Sequence, residues 1–187
     1  FIAGCYVLSV LLVGKIGPTS RSVAPATQSV FRNFAEGVVY IKNNPMVLTV
    51  IIITCAFGGF AMSHMQVVPA MAKDVLGAGA AEIGLLFLGS AIGSLVGSMI
   101  LPAISRAHVY RALLLSLVVF TVVLILFAWS NWFWVTFVFF SLVGVTGVGM
   151  VWPLATTLVQ IEATAEVRGR VMGMLQFTPG FHFLGAF

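Results

Sequence analysis

Residues 112–161 read ALLLSLVVFTVVLILFAWSNWFWVTFVFFSLVGVTGVGMVWPLATTLVQI and contain no Asp, Glu, Lys or Arg. A transmembrane helix needs about 20 mostly apolar residues, so this run is long enough for two helices, divided at Ser130-Asn131. The rest of the chain has the same character: 60% of its 187 residues are hydrophobic, 7% are charged, and the mean hydropathy is +1.13. Soluble domains carry about 25% charged residues. The sequence therefore predicts an all-α, polytopic membrane protein.

Four stretches have the length and composition of membrane spans, and two shorter apolar runs flank them. Thirteen residues are too few to cross a bilayer, and the last run ends without a polar flank. We therefore expect a fragment of a longer protein, truncated at both ends. The spans are Val47–Ala72, Ile83–Ser105, Ala112–Ser130 and Trp132–Ile161, and the flanking runs are Phe1–Val13 and Val171–Phe187.

The basic residues indicate the orientation of the spans, because cytoplasmic loops carry the excess of Lys and Arg. Eight basic residues lie in the first, third and fifth loops, whereas the second loop holds only Lys73. We expect loops 14–46, 106–111 and 162–170 to be cytoplasmic. A nucleic-acid partner is not expected, since binding would need basic residues clustered on a solvated face. The eight are Lys15, Arg21, Arg32, Lys42, Arg106, Arg111, Arg168 and Arg170.

The long first loop contains a predicted surface helix. Residues 14–25 are rich in Gly, Pro, Ser and Thr, which is typical of a linker. After them, apolar residues recur at three- and four-residue spacing from Val30 to Ile41, the pattern of an amphipathic helix. Asn44 followed by Pro45 predicts the start of the next helix.

The second predicted span carries a stripe of small residues on one face. Gly89, Gly93 and Gly97 are spaced by four residues, and three serines lie beside them. Such a stripe lets a neighbouring backbone approach closely. The contact is either static packing or an interface that moves.

The fourth predicted span has a polar face. Thr146, Met150, Pro153, Thr157 and Gln160 follow a 4-3-4-3 spacing that places them on one side of a helix. Polar side chains in hydrocarbon are tolerated where they face protein or a water-filled cavity. Glycines and a proline in the same stretch predict a bend. Trp152 lies near that bend, where it either stacks on a ligand or packs in the bundle.

Seven residues form the candidate substrate-binding set. Phe57 and His64 are two helical turns apart on the first span, and His64 is either an intramembrane functional group or a hydrated residue near the outer end. Gln176 is the only amide of the last apolar run. The set is Phe57, His64, Met150, Trp152, Thr157, Gln160 and Gln176.

Motifs for enzymatic chemistry are missing from the sequence. It has no P-loop, no HExxH and no CxxC, and all five acidic residues fall in loops or at helix ends. We expect no catalytic residue, no metal and no cofactor, and hence a protein that is not an enzyme.

Three segments carry a family resemblance. The succession FRNFAEGVVYIKNNP (31–45), GLLFLGSAIGSLVGSM (84–99) and EVRGRVMGMLQF (166–177) resembles the major facilitator superfamily, and within it bacterial exporters of enterobactin, macrolides and other drugs. The resemblance implies that residues 1–13 end helix six, 14–46 form the central cytoplasmic loop, and 47–187 are helices seven to eleven, the last incomplete. The chain would then be the C-terminal six-helix half of a twelve-helix fold in the bacterial inner membrane.

The resemblance also implies a cytoplasmic gate, with one departure from the family pattern. Residues 101–113 read LPAISRAHVYRAL, with Ser105-Arg106 where the family often has Asp-Arg. Arg106 is expected to contact the end of a neighbouring helix, and Arg168 and Arg170 to contact the central loop.

The function implied by the resemblance is secondary transport by alternating access, most simply the export of a siderophore, drug or macrolide-like compound. The partners would be that small molecule, the lipid bilayer and the N-terminal half of the transporter. Import of a nutrient by the same fold, or a non-transporting membrane sensor or scaffold, are the alternatives.

Overall fold

Helices make up nearly all of the described chain. The computed structural model describes Leu11, Leu12, Gly14, residues 30–177 and Gly180, and no strand occurs among them. Two short 3-10 turns, Leu101–Ala103 and Arg106–His108, flank the loop between α4 and α5. The helices are α1 (Val30–Asn43), α2 (Pro45–Ala56), α3 (His64–Asp74), α4 (Ala80–Ile100), α5 (Val109–Trp129), α6 (Phe133–Thr146), α7 (Trp152–Glu162) and α8 (Arg168–Leu175).

Four continuous helical stretches are long and apolar enough to cross a membrane, which confirms the predicted multi-pass helical protein. The third begins earlier than predicted, because the 3-10 turn at Arg106–His108 leads directly into α5. The stretches are Pro45–Asp74, Ala80–Ala103, Arg106–Ala128 and Phe133–Glu162, here called spans one to four.

Local signals in the sequence set the helix ends. The Asn44 side chain accepts a hydrogen bond from the Val47 amide at 3.3 Å, and Pro45 occupies the first turn of α2, as the Asn-Pro pair predicts. Gly77 lies in the turn between α3 and α4 with φ +62°, a conformation that favours glycine. The Glu82 carboxylate accepts from the Gly79 amide and caps the start of α4.

Spans one and four each contain a π-helical turn, and the two turns pack together. The turns are Phe57–Ala61 and Gly147–Val151. Phe57 meets Phe120 of α5 edge-on, with ring centroids 5.1 Å apart. A methyl group on Gly147 would lie 2.8 Å from a Phe120 ring carbon and 3.6 Å from the Phe57 ring. Phe120 therefore holds both π-helical turns at one level of the bundle. The glycines predicted the irregularity in span four but not the one in span one.

The glycine stripe of α4 lies against the backbone of α6. A methyl group on Gly93 would overlap the carbonyl oxygen of Ser141 and lie 3.1 Å from the Val145 amide nitrogen. Gly89 faces the Phe137 ring, and Gly97 faces the Val145 carbonyl. The contact advances by about four residues on both helices, so α4 and α6 run parallel and in register.

Two glycines on span four lie in the same contact and face the backbone of α4. A methyl group on Gly149 would lie 2.7 Å from the Ser94 carbonyl oxygen and 3.0 Å from the Gly97 α-carbon, and one on Gly144 would overlap the Ser90 carbonyl oxygen. Small residues on both helices thus bring two backbones together, the arrangement typical of close packing in membranes. We call this contact the glycine crossing.

Several predicted elements lie outside the described residues. The expected end of helix six, residues 1–13, is almost entirely among them, as are most of the linker at 14–25 and the expected continuation of helix eleven after Phe177. The predicted amphipathic helix is described, as α1.

We predict that Gly93→Ala destabilises the chain, because its methyl group would displace the α6 backbone. Overpacking of this kind costs about 1–3 kcal/mol. Gly84→Ala on the same helix is the matched control, since nothing lies within 4 Å of a methyl group there. Thermal unfolding of the purified chain in detergent checks this. The midpoint should fall for Gly93→Ala and stay level or rise for Gly84→Ala; equal midpoints would contradict the crossing.

Candidate transport site and clasp

The helix α7 presents a polar face that no described residue covers. Its side chains Leu154, Ala155, Leu158 and Val159 are buried on one side. Thr157 and Gln160 are exposed on the opposite side. The exposed face therefore presents a hydroxyl and an amide group in the last two turns of span four.

Two large side chains lie at the upper margin of this face. Trp152 is the first residue of α7 and Met150 belongs to the π-helical turn before it. Both are half-buried and pack against the hydrophobic core of the bundle. Pro153 follows in the first turn of α7, directly after the π-helical turn Gly147–Val151. The aromatic and thioether groups thus border the polar face without being enclosed.

Phe57 and His64 point into the bundle rather than onto the α7 face. The His64 ring meets Phe120 at 6.0 Å and Phe140 at 6.1 Å, both edge-on. Its Nδ1 is hydrogen-bonded to the Ala61 carbonyl oxygen, and its Nε2 is buried without a hydrogen-bond partner among the described residues. Phe57 is buried against Phe120. The seven-residue spacing places Phe57 and His64 on the same side of span one. Aromatic rings of α5 and α6 fill that side.

Gln176 lies on a different helix, at the end of α8. It caps α8, where its backbone N–H bonds the Met172 and Met174 carbonyl oxygens, and its side chain is exposed. The structure therefore divides the seven candidate residues. Met150, Trp152, Thr157 and Gln160 lie on or beside one face. Phe57 and His64 lie against aromatic rings of α5 and α6 instead, with Phe57 buried and His64 half-buried. Gln176 is exposed at the end of α8.

The three candidate gate arginines have different surroundings. Arg106 is exposed in its 3-10 turn, and its side chain has no ion pair with the described residues. Arg168 donates from Nε and Nη2 to the Ala163 carbonyl oxygen, at 3.3 and 3.1 Å. A cation there satisfies a free carbonyl at the end of α7 and complements the helix dipole. Arg170 forms an ion pair with Glu36 of α1.

Tyr40 of α1 adds a contact that the sequence analysis missed. Its hydroxyl donates to the Glu162 carbonyl oxygen at 3.1 Å and accepts from the Thr164 amide at 3.4 Å. One side chain of the surface helix thereby caps the end of α7, more than a hundred residues away in sequence.

Gly37 allows α1 to lie close to α8. A methyl group on Gly37 would be 2.8 Å from the Met174 methyl carbon and 3.5 Å from the Arg170 Cβ. Glycine in a helix interior costs about 1 kcal/mol relative to alanine, so its presence in FAEGVVY (34–40) was a signal of close contact. We call the set Glu36, Gly37, Tyr40, Arg168 and Arg170 the clasp. It ties α1 to the connection between α7 and α8.

No grouping of His, Cys, Asp and Glu among residues 30–177 has three members placed to hold a metal ion. The chemistry available at the α7 face is thus hydrogen bonding and apolar contact, which suits reversible binding of a small molecule.

We predict that the ion pair of the clasp is energetically coupled. Glu36→Gln and Arg170→Gln should each destabilise the chain, and the double variant should cost less than their sum, by about 0.5–1 kcal/mol for a half-exposed pair. Glu166→Gln is the control, because this nearby carboxylate is exposed on the same connection. A double-mutant cycle measured by thermal unfolding checks the coupling; strict additivity would show that Glu36 and Arg170 do not interact.

Comparison with known proteins agrees with this architecture. A family model described as the Major Facilitator Superfamily matches residues 1–182. Neither the curated proteins nor the solved structures compared with the chain include a match. The family match confirms the superfamily that the sequence resembles. The described residues include four membrane-capable helices, and the family match covers nearly the whole length of the chain. The chain therefore belongs to the major facilitator superfamily of membrane transporters.

Proposed function

We propose that the chain is the C-terminal half of a twelve-helix transporter that exports a small amphipathic compound across the bacterial inner membrane. The observation that carries this proposal is the exposed polar face of α7, with Thr157 and Gln160 on it. Polar side chains are costly against lipid tails and are found facing protein or water-filled cavities. A second, N-terminal half would cover this face and enclose a cavity.

The end of the α7 face at Met150 and Trp152 lies closest to the middle of span four, the depth at which secondary transporters of this architecture bind their substrates, whereas Gln160 lies in the last turn of the span. In such folds the site is near the middle of the membrane, between two halves that rock about it. The π-helical turn Gly147–Val151 lies directly before α7, and π-helical turns are frequent at functional sites. This turn sets the direction in which the polar face of α7 points relative to the cavity.

The residues beside the face favour an amphipathic substrate. Trp152 and Met150 supply apolar area, and Thr157 and Gln160 supply hydrogen-bonding groups that would fix the orientation of a ligand. Phe57 and His64 form a second layer that supports this wall through Phe120. Gln176 would contact substrate only at the cytoplasmic end of the pathway.

Export is favoured over import by the resemblance of residues 31–45, 84–99 and 166–177 to bacterial efflux permeases. The clasp supports alternating access, because it joins the central-loop helix to the cytoplasmic end of α7. When α7 tilts, α1 would move with it.

We predict that the polar face binds substrate in the full-length transporter. Thr157→Val and Gln160→Leu should each weaken binding of an amphipathic dye such as rhodamine 6G about two- to tenfold, since one polar contact is worth about 0.5–1.5 kcal/mol. Trp152→Ala should weaken it at least as much if the ring stacks on the dye. Fluorescence titration of the purified protein measures these affinities.

The matched control is Thr121→Val, because Thr121 is also an exposed threonine, on α5, and its hydroxyl bonds its own helix at Leu117. It should leave the affinity unchanged. Equal affinities in all variants would contradict the assigned face. Dye accumulation in inverted vesicles would support export, accumulation only in right-side-out vesicles would indicate import, and no movement in either would indicate a sensor or scaffold.

A further inference from the structure

An apolar cleft of about 540 Å³ lies between the surface helix α1, the start of α2 and the end of α8. Phe34 and Val38 line it from α1, Leu48 and Ile51 from α2, and Met174 from α8. Lys42 contributes the one charged group of the lining. The cleft shares no lining residue with the α7 face described above.

The opposite side of α1 is more polar. There Glu36, Tyr40 and Asn43 line a second cleft together with Glu166 and Arg170. A helix with one apolar and one polar side is suited to lie in the membrane interface with its apolar side toward the acyl chains. The polar cleft then faces the cytoplasm, and the apolar cleft opens toward the lipid.

The depth of the apolar cleft follows from α2. Leu48 and Ile51 lie in the first two turns of span one, directly after the cap at Asn44. This level is the boundary between headgroups and acyl chains on the side that the basic residues predict to be cytoplasmic. A cleft at this depth is in contact with lipids of the cytoplasmic leaflet.

The positive charge of Lys42 favours an anionic lipid in this cleft. Lys42 lies in the last turn of α1 with its side chain exposed, and no carboxylate of the described residues forms an ion pair with it. An ammonium group beside an apolar cleft at headgroup depth complements a phosphate whose charge is not neutralised by choline or ethanolamine. Acyl methylene groups in the cleft would add hydrophobic contact.

We propose that this cleft binds one anionic phospholipid of the cytoplasmic leaflet, with an acyl chain along Val38, Leu48 and Met174 and the phosphate at Lys42. A lipid bound there would fill the space between α1 and α2. It would thereby hold α1 in the position from which Tyr40 and Glu36 reach α7 and α8.

The test compares lipid binding to the purified full chain by native mass spectrometry, with dioleoyl phosphatidylglycerol and dioleoyl phosphatidylcholine as probes. Wild type should retain the phosphatidylglycerol preferentially. Lys42→Gln should reduce that preference about fivefold, the effect of one basic residue near an anionic lipid, whereas Lys42→Arg should preserve it. Arg111→Gln is the matched control, because Arg111 is an exposed cation on the same predicted side but away from the cleft.

A second variant tests the acyl-chain site. Val38→Trp should fill the cleft and reduce retention of both lipids, whereas Val118→Trp on the exposed face of α5 should not. Equal effects of Lys42→Gln and Arg111→Gln would overturn the proposal. Unchanged lipid retention in a folded Val38→Trp would also overturn it, and would indicate that another segment of the chain occupies the cleft. If Val38→Trp fails to fold, the comparison of Lys42→Gln with Lys42→Arg decides.

Discussion

The glycine crossing between α4 and α6 is the contact on which the described bundle depends. In a bilayer, lipid tails are as apolar as leucine, so helices associate through close van der Waals packing rather than through the hydrophobic effect. Gly93 and Gly97 on α4 and Gly144 and Gly149 on the fourth span remove the side chains that would keep the two backbones apart. Spans two and four are thereby fixed as a parallel pair. The exposed leucines and valines of α4 and α5 lie outside this contact.

The position of α7 follows from this pair and from Phe120. Gly149 belongs both to the crossing and to the π-helical turn, so the turn is held against α4 on one side. Phe120 packs against the same turn from α5 and links it to the π-helical turn of span one. The polar face of α7 begins immediately below these contacts. A rigid support therefore lies behind the face that we propose to line a transport cavity.

The clasp provides a second connection to α7, at its other end. Tyr40 and Arg168 satisfy backbone groups that the end of α7 leaves free, and such groups need partners when they are not fully hydrated. Helix α7 is thus held by the crossing above and the clasp below. Any tilt of α7 in a transport cycle would be passed to the surface helix, and from there to the apolar cleft beside Lys42.

Composition and periodicity predicted the four spans, the surface helix and the irregularity in span four. These features are local: an apolar run, a 3.6-residue repeat, or a glycine shows in any short window of sequence. The side toward which Phe57 and His64 point was not predicted, because periodicity shows that two residues are related on a helix but not which neighbour they face. The contacts of Gly37 and Tyr40 were missed for a similar reason, since their partners lie more than a hundred residues away.

The backbone-to-backbone contact of spans two and four at the glycine crossing is the feature on which the rest of the bundle depends. Solid-state NMR of the full chain in lipid bilayers, with glycine α-carbons labelled by ¹³C, tests it directly through the dipolar coupling between Gly97 and Gly149. A methyl carbon placed on either of these residues would lie 3.0 Å from the α-carbon of the other, so a strong direct cross-peak is expected. If Gly97 instead coupled only to the α-carbon of Gly93 on its own helix, with no cross-peak to Gly149, the two backbones would be apart and the account of the bundle would be contradicted.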